Sequence, residues 1–277
     1  MNIRAAFIGG GNMGGALIRG LIARGLPPQN ISVGEAHQQR RISLADELGV
    51  HVTADNREAV AGADVVVLAV KPQDMASTTQ TLTDVLMQRP PLVLSIAAGI
   101  RVGDIAGWCG PGIPVVRAMP NRPALNNAGA SALYAPAGLS EAHRALAATV
   151  LGAVGTTVWV SEEDALDVVT ALSGSGPAYF FLLTELMVDA AVSLGLERAS
   201  ARELAVQTLF GSGQMARASD GDLARLRLEV TSKGGTTEAA VRSFEAANLR
   251  TLVADALGAA TDRGREMART FGKSQKA

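Results

Sequence analysis

A single cysteine, Cys109, stands among 277 residues. No internal disulfide can form, and the chain is expected in a reducing compartment. Aromatic residues are scarce at 4 %, and 25 basic side chains meet 26 acidic ones for a net charge of −1. With no basic run to follow a phosphate backbone and no aromatic platform to stack bases, nucleic acid is excluded as a partner. Histidine is almost as rare, with only His37, His51 and His143. Glu185 and Asp189 share a helix face at i, i+4 but have no His or Cys beside them, so no metal site is expected. No uninterrupted apolar run approaches membrane-spanning length. Met1–Arg4 lead directly into an apolar strand pattern, without a charged leader and cleavage site. The expectation is a cytoplasmic protein with no membrane attachment.

What is present is an alternation of short apolar runs with helical spacing. Ala5–Ile8, Ile31–Val33, Asp64–Val70, Leu92–Ala97 and Val115–Arg117 read as strands. Asp64–Val70 and Leu92–Ala97 are nearly all apolar and too short for buried helices, as parallel strands covered on both faces require. Ala16–Ile22 and Arg41–Leu48 carry helical spacing between them. Gly129–Tyr134 and Thr156–Val160, around a helix from Ser140 to Gly152, extend the sheet. This pattern predicts an α/β fold: an N-terminal Rossmann-type doubly wound parallel sheet over residues 1–161. After Ser161 the strand signals stop. Pro177–Leu194, Ala199–Arg217, Asp222–Val230, Thr236–Ala247 and Leu249–Arg269 predict an all-helical C-terminal domain over residues 162–277, ending in a solvated tail from Lys273 to Ala277. Pro177–Leu194 is apolar around most of its circumference and must be buried on nearly all sides. In a half this small, a second subunit is the expected cover.

Gly9-Gly10-Gly11-Asn12-Met13-Gly14 follows the first strand and opens a helix, the setting the dinucleotide pattern G-x-G-x-x-G demands. The first glycine permits the tight turn, the second admits the pyrophosphate, and the third lets helix and strand approach. Glu35 ends the second strand where an acid binds the ribose hydroxyls of NAD, yet His37, Arg40 and Arg41 follow at once and suit the 2′-phosphate of NADP. NADPH and NADH both remain open here. Val70-Lys71-Pro72, Ala97-Ala98-Gly99 and Met119-Pro120-Asn121 lie at carboxyl ends of strands, where open α/β sheets bind ligands. Lys71 there is either a ribose or phosphate contact or a solvent-facing loop residue.

A second anion site is readable in the helical half. Gly234 and Gly235 precede a helix that starts at Thr236, so backbone N–H groups converge at its tip, and Thr236 and Thr237 add hydroxyls. The loop suits a small carboxylate, although a capped helix start would look the same.

Taken in order, the fingerprint, Val70-Lys71-Pro72, Ser95-Ile96-Ala97-Ala98-Gly99-Ile100, Arg117-Ala118-Met119-Pro120-Asn121, Leu172-Ser173-Gly174-Ser175-Gly176-Pro177-Ala178-Tyr179 and Thr231-Ser232-Lys233-Gly234-Gly235-Thr236-Thr237 closely resemble the pyrroline-5-carboxylate reductase family. The likeness runs from residue 3 to about residue 265. It implies reduction of 1-pyrroline-5-carboxylate to L-proline, the last step of proline synthesis, with NADPH or NADH. It further implies a homodimer through the helical domain and, in many members, a larger ring of dimers. Carried over by motif, Ser232, Gly234, Gly235, Thr236 and Thr237 bind the substrate carboxylate, with the Thr237 hydroxyl near the ring nitrogen as the catalytic group. Glu163 and Asp220 match acidic positions near the active site by spacing alone, and Asn56 matches a residue near the adenosine ribose or its phosphate. Lys233 departs from the usual proline, Arg122 from the usual threonine, and Gly34-Glu35 from a small hydroxyl residue near the 2′-phosphate.

The chemistry suits such a chain. A protonated cyclic imine is already an electrophile, so its reduction needs orientation and a proton rather than a strong base. No histidine lies in any motif. A 3-hydroxyacid dehydrogenase of the same plan, or another imine reductase, is the nearest rival. The dehydrogenase would place a lysine in the glycine-rich segment opening the second domain, where Ser175–Phe181 has none. A non-catalytic dinucleotide sensor would have no use for the Ser232–Thr237 loop.

Overall fold

A computed structural model describes residues 3–273. Strand β1 (Ala5–Ile8) turns through glycines into α1 (Asn12–Ala23), and the alternation continues through β2 (Ile31–Gly34), α2 (Gln38–Leu48), β3 (His51–Thr53), α3 (Asn56–Val60), β4 (Val65–Leu68), α4 (Met75–Gln80), α5 (Thr83–Gln88), β5 (Leu92–Ser95), α6 (Val102–Cys109) and β6 (Val115–Met119). Then come β7 (Gly129–Tyr134), α7 (Glu141–Gly152) and β8 (Gly155–Trp159). The helical part comprises α8 (Ala165–Val169), a π-helical turn (Thr170–Gly174), α9 (Gly176–Ser193), α10 (Arg198–Ala218), α11 (Leu223–Glu229), α12 (Thr236–Ala246) and α13 (Leu249–Lys273). Apart from Lys273, which closes α13, the tail expected at Lys273–Ala277 lies outside the described residues.

The eight strands form one sheet in the order β3-β2-β1-β4-β5-β6-β7-β8. Every residue of β1, β4 and β5 is buried, because helices cover both faces. Alternate side chains separate into two cores. Phe7, Val65, Val67, Leu92 and Leu94 meet Leu17, Ile18 and Leu21 on one face. Ile8, Val66, Leu68 and Val93 meet Met75, Leu82, Leu86 and Ile105 on the other.

The sheet is parallel, as expected of a doubly wound fold, except that β7 runs antiparallel to β6. Residues 120–128 alone connect the two strands, and a parallel crossover needs about a dozen residues or more. The order reverses between β1 and β4, so these neighbours place their carboxyl ends side by side and open a crevice there.

Two compact units divide the chain. The sheet unit runs to Ser175 and resumes at Ala260, and the helical unit is Gly176–Ala259. The sequence-based division at 161/162 marks where strand patterns end. The compact boundary falls later because α8 packs on β6 and β7 of the sheet, with Leu166 and Asp167 buried.

Within the helical unit α9 packs on α10. Only Gly176 and Val188 of α9 are buried, while Phe180 and Phe181 are 58 % and 64 % exposed. Burial of α9 on nearly all sides is therefore not achieved among the described residues. A helix apolar around its whole circumference cannot be covered by a single neighbour. The helical stretch Ala165–Ser193 is also long and apolar enough, by length and composition, to cross a membrane, with a mean hydropathy of 1.3 in its most apolar window. The stretch is not an uninterrupted apolar run, so the expectation that no such run approaches this length is unchanged. Isolated charges such as Glu185 and Asp189 break the run without lowering its average far.

Cys109 ends α6 with no exposed surface, and burial pushes its thiol pKa up to about 12. A free thiol ionises near 8.5, and only the thiolate attacks a disulfide. Ellman's reagent at pH 8 should leave the native protein unlabelled and titrate one thiol after unfolding in guanidinium; rapid native labelling would contradict this burial.

Candidate active site

The glycine turn after β1 is built from close backbone approaches. Gly9 takes φ +98°, a conformation that side chains resist, and its N–H donates to the Gly34 carbonyl at 2.8 Å. A Cβ on Gly14 would lie 2.5 Å from the Gly9 carbonyl oxygen, so only glycine lets α1 start this close to the strand end. Gly11 caps α1 and faces open space, with nothing within 4 Å of where its Cβ would stand. The first helical N–H groups lack partners inside the helix and favour an anion at that opening.

A cleft of about 470 Å³ lies along this edge. It gathers Gly9, Gly11, Asn12, Glu35, Asn56, Val70 and Lys71 from the expected cofactor residues, together with His37 and Arg40. Asn56 lies against Gly34, where any Cβ would collide with its side-chain oxygen. Asp74 and Thr78 line the cleft as well. Sequence reasoning missed them because neither the turn that ends at Asp74 nor α4, which carries Thr78, holds a motif. Met13 and Gly14 do not line it; Met13 packs on the core and Gly14 acts through the helix approach.

Glu35 does not stand free to bind ribose. It is 5 % exposed, and its carboxylate accepts from Gly10 N–H at 2.9 Å, His37 N–H at 2.9 Å and the Arg40 guanidinium at 3.0 Å. Burial pushes its pKa up, but the His37 and Gly10 N–H groups and Arg40 outweigh it and hold the carboxyl below the usual range. Glu35 thus ties the glycine turn to the start of α2. Arg41 is also committed, donating to the Glu35 and Ala36 carbonyls at 2.7 and 2.8 Å. His37, Arg40 and Lys71 are the basic side chains at the cleft.

Pro72, Ala97, Ala98, Gly99, Met119 and Pro120 lie outside this cleft, just beyond or at the carboxyl ends of β4, β5 and β6. Because β1, β4, β5 and β6 are parallel, these ends share one edge of the sheet.

In the helical unit, Gly235 caps α12 and Gly234 has φ +73°. Gly235 N–H donates to the Ser232 carbonyl at 3.0 Å. Gly234 N–H donates to the Glu238 carboxylate at 2.7 Å, and Arg242 holds the other carboxylate oxygen at 3.0 Å. Glu238 closes the loop, a partner that sequence reasoning missed although an acid in the first turn is a known cap signal. The N–H groups of Thr236 and Thr237 begin the helix and have no acceptor within it. Thr237 is partly exposed there. Asp220 is exposed and pairs with Arg225 at 3.1 Å.

Glu163 is occupied inside the sheet unit. It accepts from Val102 N–H at 2.8 Å and from Arg117 at 3.1 Å, and Asp167 lies 3.8 Å from Arg117. Arg101 joins the cluster through Asp164. This network fastens the segment leading into α8 to β6 and α6. Two grooves in the helical unit, of about 460 and 340 Å³, are lined by exposed apolar side chains such as Phe244 and Phe181 together with charged ones such as Arg227, Glu245, Arg198 and Arg202, and contain none of the expected site residues.

Two family models match separate stretches of the chain. The family model described as pyrroline-5-carboxylate reductase dimerisation matches residues 163–267. The one described as NADP oxidoreductase, coenzyme F420-dependent, matches residues 4–99. A pyrroline-5-carboxylate reductase of Pseudomonas aeruginosa is 48 % identical over 270 residues, covering 98 % of each chain. A solved pyrroline-5-carboxylate reductase from Coxiella burnetii superposes with a TM-score of 0.93 at 41 % identity, over 97 % of this chain and 99 % of that one. A Plasmodium falciparum pyrroline carboxylate reductase, solved with NADP bound, gives 0.83 at 27 % identity, over 96 % and 98 %.

The Glu35 anchor is testable. In E35Q the amide oxygen can take the place of Oε2 and keep the Gly10 N–H and Arg40 bonds without their charge, while the amide NH2 turns toward the His37 N–H, a donor against a donor. NADP⁺ affinity, read by fluorescence titration at pH 7, should fall about tenfold, since charge-assisted bonds are the stronger kind. The folded pKa is depressed, so the carboxylate's contribution is fully present above the unfolded pKa. It disappears as pH drops through the folded value, and the gap between wild type and E35Q should close there. Equal affinities at pH 7 would show that the turn needs no anchor.

Proposed function

Because the chain belongs to the pyrroline-5-carboxylate reductase family, we propose that it reduces 1-pyrroline-5-carboxylate to L-proline, the closing step of proline synthesis. The observation that carries this reading is the open face of Gly11 at the start of α1, in a chain 48 % identical over nearly its whole length to a reductase of that name. Rigid glycine contacts and an uncovered helix start suit a diphosphate, so the residues present fit a nicotinamide dinucleotide. When bound, that cofactor supplies a hydride to the imine carbon while a proton comes to rest on the ring nitrogen.

The chain's own residues bind and orient. In this reading the sheet unit is the dinucleotide-binding domain and the helical unit is the substrate-binding and dimerisation domain. Met119, Pro120, Ala97, Ala98 and Gly99 form the floor for the nicotinamide end, and Pro72 shapes the loop that presents Lys71. Ser232, Gly234, Gly235 and Thr236 hold the substrate carboxylate at the tip of α12. Thr237 places its hydroxyl at the ring nitrogen and relays the proton from water, since a hydroxyl alone is a weak acid. Glu163 and Asp220 are assigned to substrate binding at one remove, each within its own unit. The contacts of Glu163 with Val102 and Arg117 support a structural share, and the exposure of Asp220 supports an electrostatic one.

NADPH is the preferred cofactor in this proposal, with NADH accepted. The acid that would repel a 2′-phosphate is buried and neutralised by Arg40, while His37, Arg40 and Lys71 remain at the cleft beside Asn56. The exposed apolar surface of α9 is assigned to a second copy of the chain, giving a homodimer that can assemble into rings of dimers. A cytoplasmic setting completes the reading, in keeping with the one buried cysteine.

Cofactor oxidation at 340 nm with pyrroline-5-carboxylate, run with NADPH and with NADH, tests the proposal. Turnover with a higher kcat/KM for NADPH is expected, and no turnover with either would refute it. T237A should lower kcat about 100-fold, within the usual span for a positioned proton donor, with unchanged NADP⁺ binding. Unaltered kcat and KM would remove Thr237 from the proton path.

A further inference from the structure

Asn121 follows Pro120 just past the carboxyl end of β6 and is 8 % exposed. Its side chain is used at both ends. Ala130 N–H, at the start of β7, donates to Oδ1 at 2.8 Å, and Nδ2 donates to the Ser173 carbonyl at 3.0 Å. Its backbone carbonyl accepts from Ala124 N–H at 3.1 Å, fixing the turn between the strands.

Ser173 lies in the π-helical turn Thr170–Gly174, where Ser175 N–H reaches back five residues to the Thr170 carbonyl at 2.8 Å. In a continuous α-helix the Ser173 carbonyl would accept from the N–H of residue 177. That residue is Pro177, which has none. Helical geometry therefore denies this partly buried carbonyl its ordinary partner, and a carbonyl drawn away from water without one is costly. The amide of Asn121 supplies the donor from the sheet. Met119 makes a second contact at the same place: a Cβ on Gly174 would lie 2.8 Å from its terminal methyl and force it to move.

The geometry points to Asn121 as a positioning residue for hydride transfer. It locks the Met119–Pro120 strand end against the π-helical turn and so fixes the floor beneath the nicotinamide. This assignment rests on the reductase reading above. Single-turn π-helices are rare and frequently lie at functional sites. Here the irregularity is held by one side chain whose backbone continues directly from the residues assigned to the cofactor. A shift of about 1 Å at such a floor costs on the order of 100-fold in rate, with little effect on affinity for the substrate.

The test uses N121A, P177A and the double variant N121A/P177A in the full chain, with NADPH and pyrroline-5-carboxylate. N121A should lose about 10- to 100-fold in kcat. Its KM for the imine should stay within about threefold of wild type, the pattern of an interaction that matters in the transition state. The primary deuterium isotope effect with 4-deuterated NADPH should rise as hydride transfer becomes slow. P177A offers Ser173 a backbone donor, so N121A/P177A should recover the melting temperature lost by N121A while kcat stays low. If kcat returned together with the melting temperature, Asn121 would be scaffold only and the proposal would be overturned. Wild-type kcat and isotope effect in N121A would overturn it equally. Should N121A fail to fold, the double variant carries the same two outcomes. A wild type that does not oxidise NADPH contradicts the reductase reading, whereas an active wild type with an unaffected N121A contradicts this proposal alone.

Discussion

The cleft depends on one close approach, the start of α1 against the carbonyl of Gly9, with no room for a Cβ at Gly14. A helix beginning there directs its unpaired N–H groups at the crevice where strand order reverses between β1 and β4. Everything else at that edge supports this contact. Gly9 turns the chain at positive φ, and Glu35 reaches across to hold Gly10. Leu17, Ile18 and Leu21 anchor the helix on the sheet, with no exposed surface among them. A buried carboxylate is tolerable here because three donors converge on it.

Much of the sheet unit was legible in advance because burial on both faces writes itself as short, solid apolar runs. Val65–Leu68 and Leu92–Ser95 are such runs. The strand His51–Thr53 was not legible, since three residues with an exposed histidine carry neither alternation nor a solid run. The direction of β7 depended on loop length rather than on its own residues. Glu35 illustrates a different limit: its position was readable, but its orientation was not. The side chain turns toward Gly10 only because α2 brings Arg40 and His37 N–H to the same point. In the same way Asn121 stood in a recognisable motif, while its partner was decided by a proline distant in sequence.

The helical unit presents the reverse situation. Its segments were easy to read from apolar spacing, yet their surroundings were not. Glu238 fills a loop expected to offer its N–H groups to a ligand, and α9 carries Phe180 and Phe181, which the described residues leave more than half exposed. A helix of that composition has two ordinary destinations, a membrane or another protein surface. The family model over residues 163–267 is described as dimerisation. The proposed second copy accounts for α9 by the hydrophobic burial already visible in the sheet unit, and it requires no lipid.

The central claim is that the Gly9–Gly14 contact creates the dinucleotide site. Calorimetric titration of NADP⁺ into wild type and G14A tests it most directly, with circular dichroism to show that both are folded. The account predicts that folded G14A binds about tenfold more weakly or not at all, because the new methyl group pushes the helix start off the turn. Folded G14A with wild-type affinity would contradict it.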